Sequence, residues 1–216
     1  MAKYYRLSTM DYRLIYGLKK ENIMVLLKKN IFALTVFLLF AVTGCRGNIP
    51  VYHISEDIDF SFYKKVAVLP LDNLTNDKYA GEIVRQVVIS ELLASGLVDV
   101  VLPGDVKSAF NNLGIKSVSS LNSNQIRALG KSLKVEALIL GVVEEYGEAK
   151  MGNVSAPQVT ISLMMADAGS GSIVWSITQT RGGASFWARH FGARHETISE
   201  TVLMLVRESI RTLVEY

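Results

Sequence analysis

Residues 159–177 read VTISLMMADAGSGSIVWSI and decide the fold. Apolar side chains occupy the odd-numbered positions through Met165, which is the period of a strand with one buried face. After the turn sequence DAGSGS, the same period returns at Ile173, Trp175 and Ile177. Two alternating segments around a turn that contains glycine predict an antiparallel hairpin whose odd-numbered side chains are buried.

The residues upstream of this hairpin predict further strands. KVAVLPL at 65–71 is a short, continuous apolar run, which is typical of a buried strand. VDVVL at 98–102 and VEALILGVV at 135–143 predict two more. Between the first two runs, residues 72–77 (DNLTND) have the composition of a loop.

Four segments show the i, i+3, i+4 spacing of an amphipathic helix. The apolar residues on these four predicted faces are Ala80, Ile83, Val84, Val87 and Val88; Val106, Ala109, Phe110 and Leu113; Ile126, Leu129 and Leu133; and Ile198, Val202, Leu205, Val206 and Leu213. Gly96 and Gly114 are expected to end the first two helices. Asn122 with Gln125, and Thr197 with Glu200, have the spacing of a capping box. The predicted order is β-α-β-α-α-β-β-β-α, an α/β (α+β) fold in which helices flank a mixed sheet.

The segment before this domain has the layout of an export signal. Lys28 and Lys29 precede the uncharged run IFALTVFLLFAV, which is followed by Thr-Gly-Cys45. A basic start, an apolar run of about 7–15 residues and small residues before the cut are the parts of a secretory signal peptide. A membrane-spanning helix needs about 20 apolar residues. We therefore expect residues 1–44 to be a leader, which has an ordinary length if translation starts at Met24.

The sequence Val42-Thr43-Gly44-Cys45 resembles the bacterial lipobox, in which a branched apolar residue and two small residues precede a cysteine. The resemblance implies cleavage between Gly44 and Cys45, a diacylglyceryl thioether on Cys45 and acylation of the new amino terminus. Cys45 is the only cysteine, so an internal disulfide is excluded. Each buried CH₂ group contributes about 0.8 kcal/mol, so several acyl chains would anchor the protein. An ordinary signal peptide and a single helical anchor are the alternatives.

The residues after the cysteine suggest where the protein resides. Residues 45–63 are polar and mixed, which is typical of a tether between a lipid anchor and a folded domain. The domain itself is expected to span 64–216 as a single periplasmic unit. Arg46, rather than aspartate, follows the cysteine. By resemblance to lipoprotein sorting in enterobacteria, this predicts an outer-membrane location facing the periplasm.

The charge distribution limits the classes of partner. Residues 1–44 carry seven basic and two acidic side chains, a net charge of +5. The remainder carries 16 basic and 18 acidic side chains, a net charge of −2. A mildly acidic body without a basic cluster argues against nucleic-acid binding. The expected partners are a membrane, through the lipid anchor, and periplasmic or outer-membrane proteins, with a homo-oligomer left open.

Two stretches of the body resemble known bacterial families. KKVAVLPLDNLTND at 64–77 is similar to the amino-terminal domain of TolB and its lipoprotein relatives. VEALILGVVEEYGE at 135–148 and the hairpin after it are similar to CsgG-type lipoproteins and to lipoprotein activators of penicillin-binding proteins. The hairpin residues that carry this similarity are Leu163, Asp167, Gly171, Ile173 and Ser176. The resemblance covers residues 64–216 and implies a non-enzymatic role in assembly, secretion or activation of an envelope machine. A ring-forming subunit of a curli-type secretion channel is the alternative.

The search for chemistry favours recognition over catalysis. His190 and His195 are five residues apart across a glycine, which is poor spacing for a metal, and no metal site, cofactor or catalytic residue is predicted. Glu144, Glu145 and Glu148 are interpreted as a solvated strand end rather than an acid–base pair. Aromatic and arginine side chains, which are enriched at protein interfaces, cluster near the last helix. The candidate interaction residues are Phe186, Trp187, Arg189, Phe191 and Arg194.

Overall fold

The computed structural model describes residues 28–32, 35, 51–55, 59–151, 154–182 and 196–214. The chain divides into two compact units, Met1–Asn48 and Ile49–Tyr216. In the first unit, residues 28–32 and 35 are helical, and Thr35 Oγ1 donates to the carbonyl oxygen of Ile31 at 2.8 Å. None of the helices in the described ranges is long and apolar enough to cross a membrane.

The second unit contains the predicted fold class, a mixed sheet with helices on both faces. Its strands are β1 (Val51–Ile54), β2 (Lys65–Val68), β3 (Asp72–Asn73), β4 (Asp99–Val100), β5 (Ala137–Met151), β6 (Val154–Asp167) and β7 (Ile173–Gly182). Its helices are a 3₁₀ turn (Phe60–Phe62), α1 (Ala80–Ser95), α2 (Pro103–Asn112), α3 (Ser123–Leu133) and α4 (Ile198–Val214). The predicted order is confirmed, with two short strands, β1 and β3, in addition.

The seven strands form one sheet in the order β1-β7-β6-β5-β2-β4, and β3 lies beside β5. The first part of the domain supplies parallel pairs, because β2 runs parallel to β4 and β5, and β3 runs parallel to β5. The second part supplies antiparallel pairs, from β5 with β6 to β7 with β1. The predicted hairpin is the β6–β7 pair, and β5 extends it into a long meander.

One part of the segment assigned to a tether lies in the sheet. Residues Val51–Ile54 form the edge strand β1, in which Tyr52 is opposite Ile177 and Ile54 is opposite Trp175. Residues Phe60–Phe62 also form a 3₁₀ turn, so 51–54 and 60–62 are not a plain tether. A strand of four residues is too short to show a period, and its pairing comes from the exposed edge of β7.

The sheet has an apolar core on each face. On the α1/α4 face, helices α1 and α4 cover side chains from β2, β5, β6 and β7. The largest fully buried residues of this core include Trp175, Ile161, Leu163 and Leu205. On the α2/α3 face, helices α2 and α3 pack mainly against β2 and β5, over Leu69, Leu138 and Leu140.

Three predicted core positions are wrong. Ile83 is 40% exposed because the buried stripe of α1 is narrower than the spacing indicated. Leu113 is also 40% exposed because α2 ends at Asn112, one residue before it. Ile173 is 39% exposed, whereas its neighbour Val174 is buried. The reason is a β-bulge: Met165 is opposite Trp175 and Ala166 is opposite Ile173, so Val174 is an extra residue that shifts the alternation.

The predicted helix ends are confirmed. Gly96 caps α1 with a φ of 68°, a left-handed conformation in which a Cβ atom is unfavourable. At the start of α3, the Asn122 side chain accepts from the Gln125 backbone N–H, and the Gln125 side chain accepts from the Asn122 N–H. Thr197 and Glu200 exchange the same pair of hydrogen bonds before α4. These local sequence signals determine the residues at which the helices begin and end.

Candidate interaction surfaces

The residues predicted to carry function lie outside the described part of the chain. These residues are the predicted cleavage and lipid-attachment positions Gly44 and Cys45, the two histidines His190 and His195, and the interaction candidates Phe186, Trp187, Arg189, Phe191 and Arg194. The described ranges contain no group of three or more His, Cys, Asp or Glu side chains that could hold a metal ion. The lipid site and the aromatic cluster therefore remain predictions.

An ion-pair network joins the residues on either side of segment 183–195. Arg181, at the end of β7, donates from Nη2 to Glu196 Oε1 at 2.7 Å and from Nε to Glu196 Oε2 at 3.1 Å. Its Nη1 donates to Glu208 Oε1 on α4 at 2.6 Å. The Arg181 guanidinium thus binds Glu196, on the other side of the segment, in the bidentate geometry that arginine favours, and it also binds helix α4.

The electrostatics of this network follow from its hydrogen bonds. The Arg181 guanidinium, through its hydrogen bonds, lowers the pKa of Glu196 below the ordinary value of 4.5, although burial acts in the opposite direction. Conversely, the hydrogen bond to Glu196 raises the pKa of Arg181 further. Both groups are therefore charged at neutral pH, and the ends of the segment stay joined.

The second candidate surface is the polar half of the α2/α3 face. Beyond the area that α2 and α3 cover, this face carries rows of hydroxyls and carboxylates that cross three strands. In one row, Ser162 Oγ donates to Glu144 Oε1 at 2.6 Å and lies 2.7 Å from Thr178 Oγ1. In the next, Thr160 Oγ1 donates to Glu145 Oε2 at 2.8 Å and lies 2.9 Å from Thr180.

The third feature is a groove beside β5, which we call the β5 groove. It has a volume of about 330 Å³ and opens where the chain after β3 leaves the sheet. The residues that line it are Leu74, Thr75, Asn76, Glu144, Glu145, Tyr146, Gly147, Glu148, Ala149 and Gln158. The sequence did not predict this groove, because it depends on where β3 ends. No residue in the sequence marks the groove, because the missing N–H of Pro157 lies on the β7 side of β6 and not on the open side of β5.

The three glutamates at this strand end hydrogen-bond across to β6. Glu145 accepts from Gln158 and Thr160, and Glu148 accepts from Ser155 at 2.6 Å. The hydrogen bonds from Gln158 and Thr160 lower the pKa of Glu145. The Glu145 carboxylate is therefore ionised at neutral pH, and hydrogen bonds to β6 hold all three glutamate side chains along the hairpin.

Comparisons with known proteins give the fold. No protein-family model matches the chain, and no curated protein matches it. A single-substitution variant of the PelC dodecamer from Paraburkholderia phytofirmans is 22% identical, with a TM-score of 0.55, over 77% of this chain and 98% of that one. The lipoprotein GNA1162 from Neisseria meningitidis is 16% identical, with a TM-score of 0.51, over 71% of this chain and 99% of that one.

A more distant similarity involves the penicillin-binding-protein activators named in the sequence resemblance. The LpoB C-terminal domain from Salmonella enterica is 16% identical, with a TM-score of 0.42, over 55% of this chain and 82% of that one. These similarities do not single out the CsgG-type or TolB families. The chain is thus similar in fold to PelC and to a bacterial lipoprotein, at identities that show the fold alone.

Proposed function

We propose that the protein is a non-enzymatic, lipid-anchored protein of the outer membrane that faces the periplasm. There it binds periplasmic or outer-membrane proteins in the assembly, secretion or activation of an envelope machine. The observation that carries the proposal is a coincidence of two features. The only cysteine ends a leader-like run, and the domain after it has a fold similar to that of the lipoprotein GNA1162.

The anchor follows from the chemistry at Cys45. A thiol that follows a basic start, an apolar run of twelve residues and the pair Thr43-Gly44 is positioned for acylation at the membrane surface. A single acyl chain binds a bilayer only marginally, whereas two or more give stable retention. The proposed lipid on Cys45 is therefore sufficient for stable retention at a membrane.

Partner binding is supported by the surfaces of the domain. The polar half of the α2/α3 face presents ordered hydroxyls and carboxylates, and the β5 groove lies beside it. Ordered polar groups on a rigid sheet can give specificity to a protein interface. The network at Arg181 also joins the ends of the segment that carries the aromatic and arginine candidates.

The anchor is tested by moving the thiol. We expect wild-type protein to fractionate with membranes and to incorporate an alkyne-labelled fatty acid, whereas Cys45→Ser does neither. The matched control combines Cys45→Ser with Ser108→Cys, which restores a thiol on the exposed surface of α2. If that control regained the label, or if Cys45→Ser kept both label and retention, the lipobox assignment would be wrong.

Partner binding is tested by site-specific crosslinking in living cells. A photoreactive amino acid at position 187 is expected to capture a defined envelope protein, whereas the same group at Lys107 on the exposed side of α2 is not. Identical products from both positions, or none from position 187, would contradict the proposed contact. A change in any hydrolytic activity on His190→Ala with His195→Ala would contradict the non-enzymatic assignment.

The second candidate function is a ring-forming subunit of a secretion channel. Its support is the similarity in fold to PelC, which is described as a dodecamer. Detergent-extracted full-length protein is expected to show a mass many times that of one chain if this alternative holds. A monomeric mass at all concentrations would reject it.

A further inference from the structure

One edge of β5 is open over its last half. On the other side of the strand, β6 pairs with β5 along the whole length, as far as Met151 opposite Val154. On the open side, pairing with the chain around β3 ends when the Leu74 N–H donates to the Val143 carbonyl oxygen at 2.9 Å. Between Glu145 and Met151, no described strand pairs with this edge.

The register identifies which backbone groups face outward. Residues in an antiparallel pair alternate between hydrogen-bonded and non-hydrogen-bonded positions. Glu148 is opposite Pro157, which has no N–H, so this is a non-hydrogen-bonded pair. The N–H and C=O groups of Glu148, and by alternation those of Tyr146 and Lys150, therefore point away from β6. No described residue makes a backbone hydrogen bond to these groups across the open side.

The β5 groove gives this edge room for another strand. Neighbouring strands lie about 4.8 Å apart, and the groove of about 330 Å³ separates β5 from the loop that begins at Leu74. Leu74 is 73% exposed at the wall of the groove, where it offers an apolar contact. The half-buried Tyr146 lies along the strand itself. The groove thus combines unpaired backbone groups with apolar surface.

The negative charge of the groove favours a basic partner. Glu144, Glu145 and Glu148 line it, and among the described residues none of them has an ion-pair partner. Asp77 is close enough that its charge adds to burial in raising the pKa of Tyr146. A second copy joined through the same edge would bring two sets of carboxylates together, and like charges on paired strands are destabilising. A basic segment would neutralise them.

We propose that the open edge of β5 binds an extended, basic segment of a partner protein, which adds to the sheet as a further strand. The proposal rests on the partner-binding role proposed above and specifies the surface and the chemistry of the partner. Backbone hydrogen bonds to Tyr146, Glu148 and Lys150 supply affinity, as in other cases of strand addition. Lysine or arginine side chains on the added strand pair with the glutamates and determine specificity.

The test uses the detergent-solubilised full chain and a labelled probe peptide of seven residues, with alternating lysine and valine and blocked ends. We expect saturable binding that weakens as salt concentration rises. A peptide with glutamate in place of lysine is expected not to bind. The lysine peptide with N-methylated valines, which cannot donate hydrogen bonds at those positions, is expected to bind at least tenfold more weakly.

Two variants locate the site. Glu148→Pro removes an outward-facing N–H together with the carboxylate that accepts from Ser155, and Glu144→Gln with Glu145→Gln and Glu148→Gln removes all three charges but keeps the backbone. Each is expected to weaken binding at least tenfold, and the glutamine variant is expected to reduce the salt dependence. The control, Asp99→Asn, makes the same kind of change on β4 at the far end of the sheet and is expected to bind like wild type.

Several outcomes would overturn the proposal. One is equal binding of the lysine and glutamate peptides, and another is wild-type affinity in both groove variants. Self-association of the protein that Glu148→Pro abolishes would assign the edge to a second copy instead. Crosslinking from position 187 separates the two proposals. If wild type and Glu148→Pro capture the same partner, the proposed function stands and the strand-addition site is wrong. If neither captures a partner but the lysine peptide still binds, the strand-addition site stands and the proposed function is wrong.

Discussion

The two faces of the sheet are made by the same strands, yet their side chains differ in burial and polarity. On β6, Ile161 is fully buried under the α1/α4 face, while the next residue, Ser162, joins the hydroxyl row on the opposite side. On β7, Trp175 and Ser176 repeat that contrast. Among the described residues, one face is covered from β2 to β7, whereas the core on the other face comprises β2, β5 and the end of β6 at Met164 and Ala166. The first face carries most of the buried core, and the exposed part of the second face is the surface to which we assign the proposed recognition.

The largest loss of stability is expected when a buried side chain of the α1/α4 face, which we call the covered face, is truncated. Trp175 is 1% exposed, and its Nε1 donates to Thr212 Oγ1 on α4 at 3.0 Å. Trp175→Ala leaves a large cavity and should lower the free energy of unfolding by about 3–5 kcal/mol. Ser176→Ala, one residue along, should change it by less than about 0.5 kcal/mol. Urea unfolding of both variants measures the contrast, which fails if their midpoints coincide.

The next effect tests how closely the covered face is packed. A Cβ atom on Gly141 would lie 2.2 Å from the Ser162 carbonyl oxygen and 3.1 Å from the Leu163 Cα. Because both atoms are backbone atoms of the paired strand, Gly141→Ala should cost about 1–3 kcal/mol. Gly104→Ala in α2, where a Cβ meets nothing within 4 Å, should cost nothing. Thermal unfolding compares the two variants. Equal melting temperatures would show that β5 can shift away from β6 enough to accommodate the added Cβ atom.

The covered face was the more predictable one. Alternation from Val159 to Met165 identified the strand and its buried side, because that side is apolar at every second position. Alternation could not locate the bulges, at Val174 on β7 and near Glu144 on β5, since each inserts a residue without changing composition. It also missed β1, whose four residues acquire their pairing from β7.

The candidate surfaces were less predictable because they depend on relations between strands. The glutamates at 144, 145 and 148 were correctly identified as polar, but their hydrogen bonds depend on the register with β6. The open edge of β5 exists because the chain turns away after Leu74, and hydrogen bonds from Asn73 and Thr75 to the Asp77 carbonyl oxygen fix that turn. The point at which a chain turns away from a sheet does not change the alternation of apolar residues, so it could not be predicted from the sequence.

A smaller effect is expected at the polar margin of the covered face. Arg181 pairs with Glu196 and Glu208, and Arg181→Gln should cost about 1 kcal/mol at neutral pH. Arg181 lowers the pKa of Glu196, so this stabilisation is present above the ordinary pKa of 4.5 and is lost as the pH falls through the lowered value. Unfolding curves from pH 7 downward should therefore show the two proteins converging.

The control for this pH dependence is an arginine with uncharged partners. Arg127 donates to the Ser170 carbonyl oxygen at 2.7 Å and to the Asn124 side chain. Any cost of Arg127→Gln should be constant across the same range, because neither partner titrates there. A difference that also disappears on acidification in Arg127→Gln would attribute the effect to general acid unfolding and not to Glu196.

The smallest effect is expected on the open half of the α2/α3 face, where the contrast between the faces is sharpest. Ser162→Val with Thr178→Val replaces both members of a hydroxyl pair that lie 2.7 Å apart. Removing both partners leaves no unsatisfied group between them, and water can hydrate the exposed Glu144. The free energy of unfolding should change by less than about 0.5 kcal/mol, in urea titrations run beside Ser162→Val alone. A loss above about 1 kcal/mol in the double variant would mean that the hydroxyl row holds β6 to β7, and the open face would then be structural and not reserved for recognition.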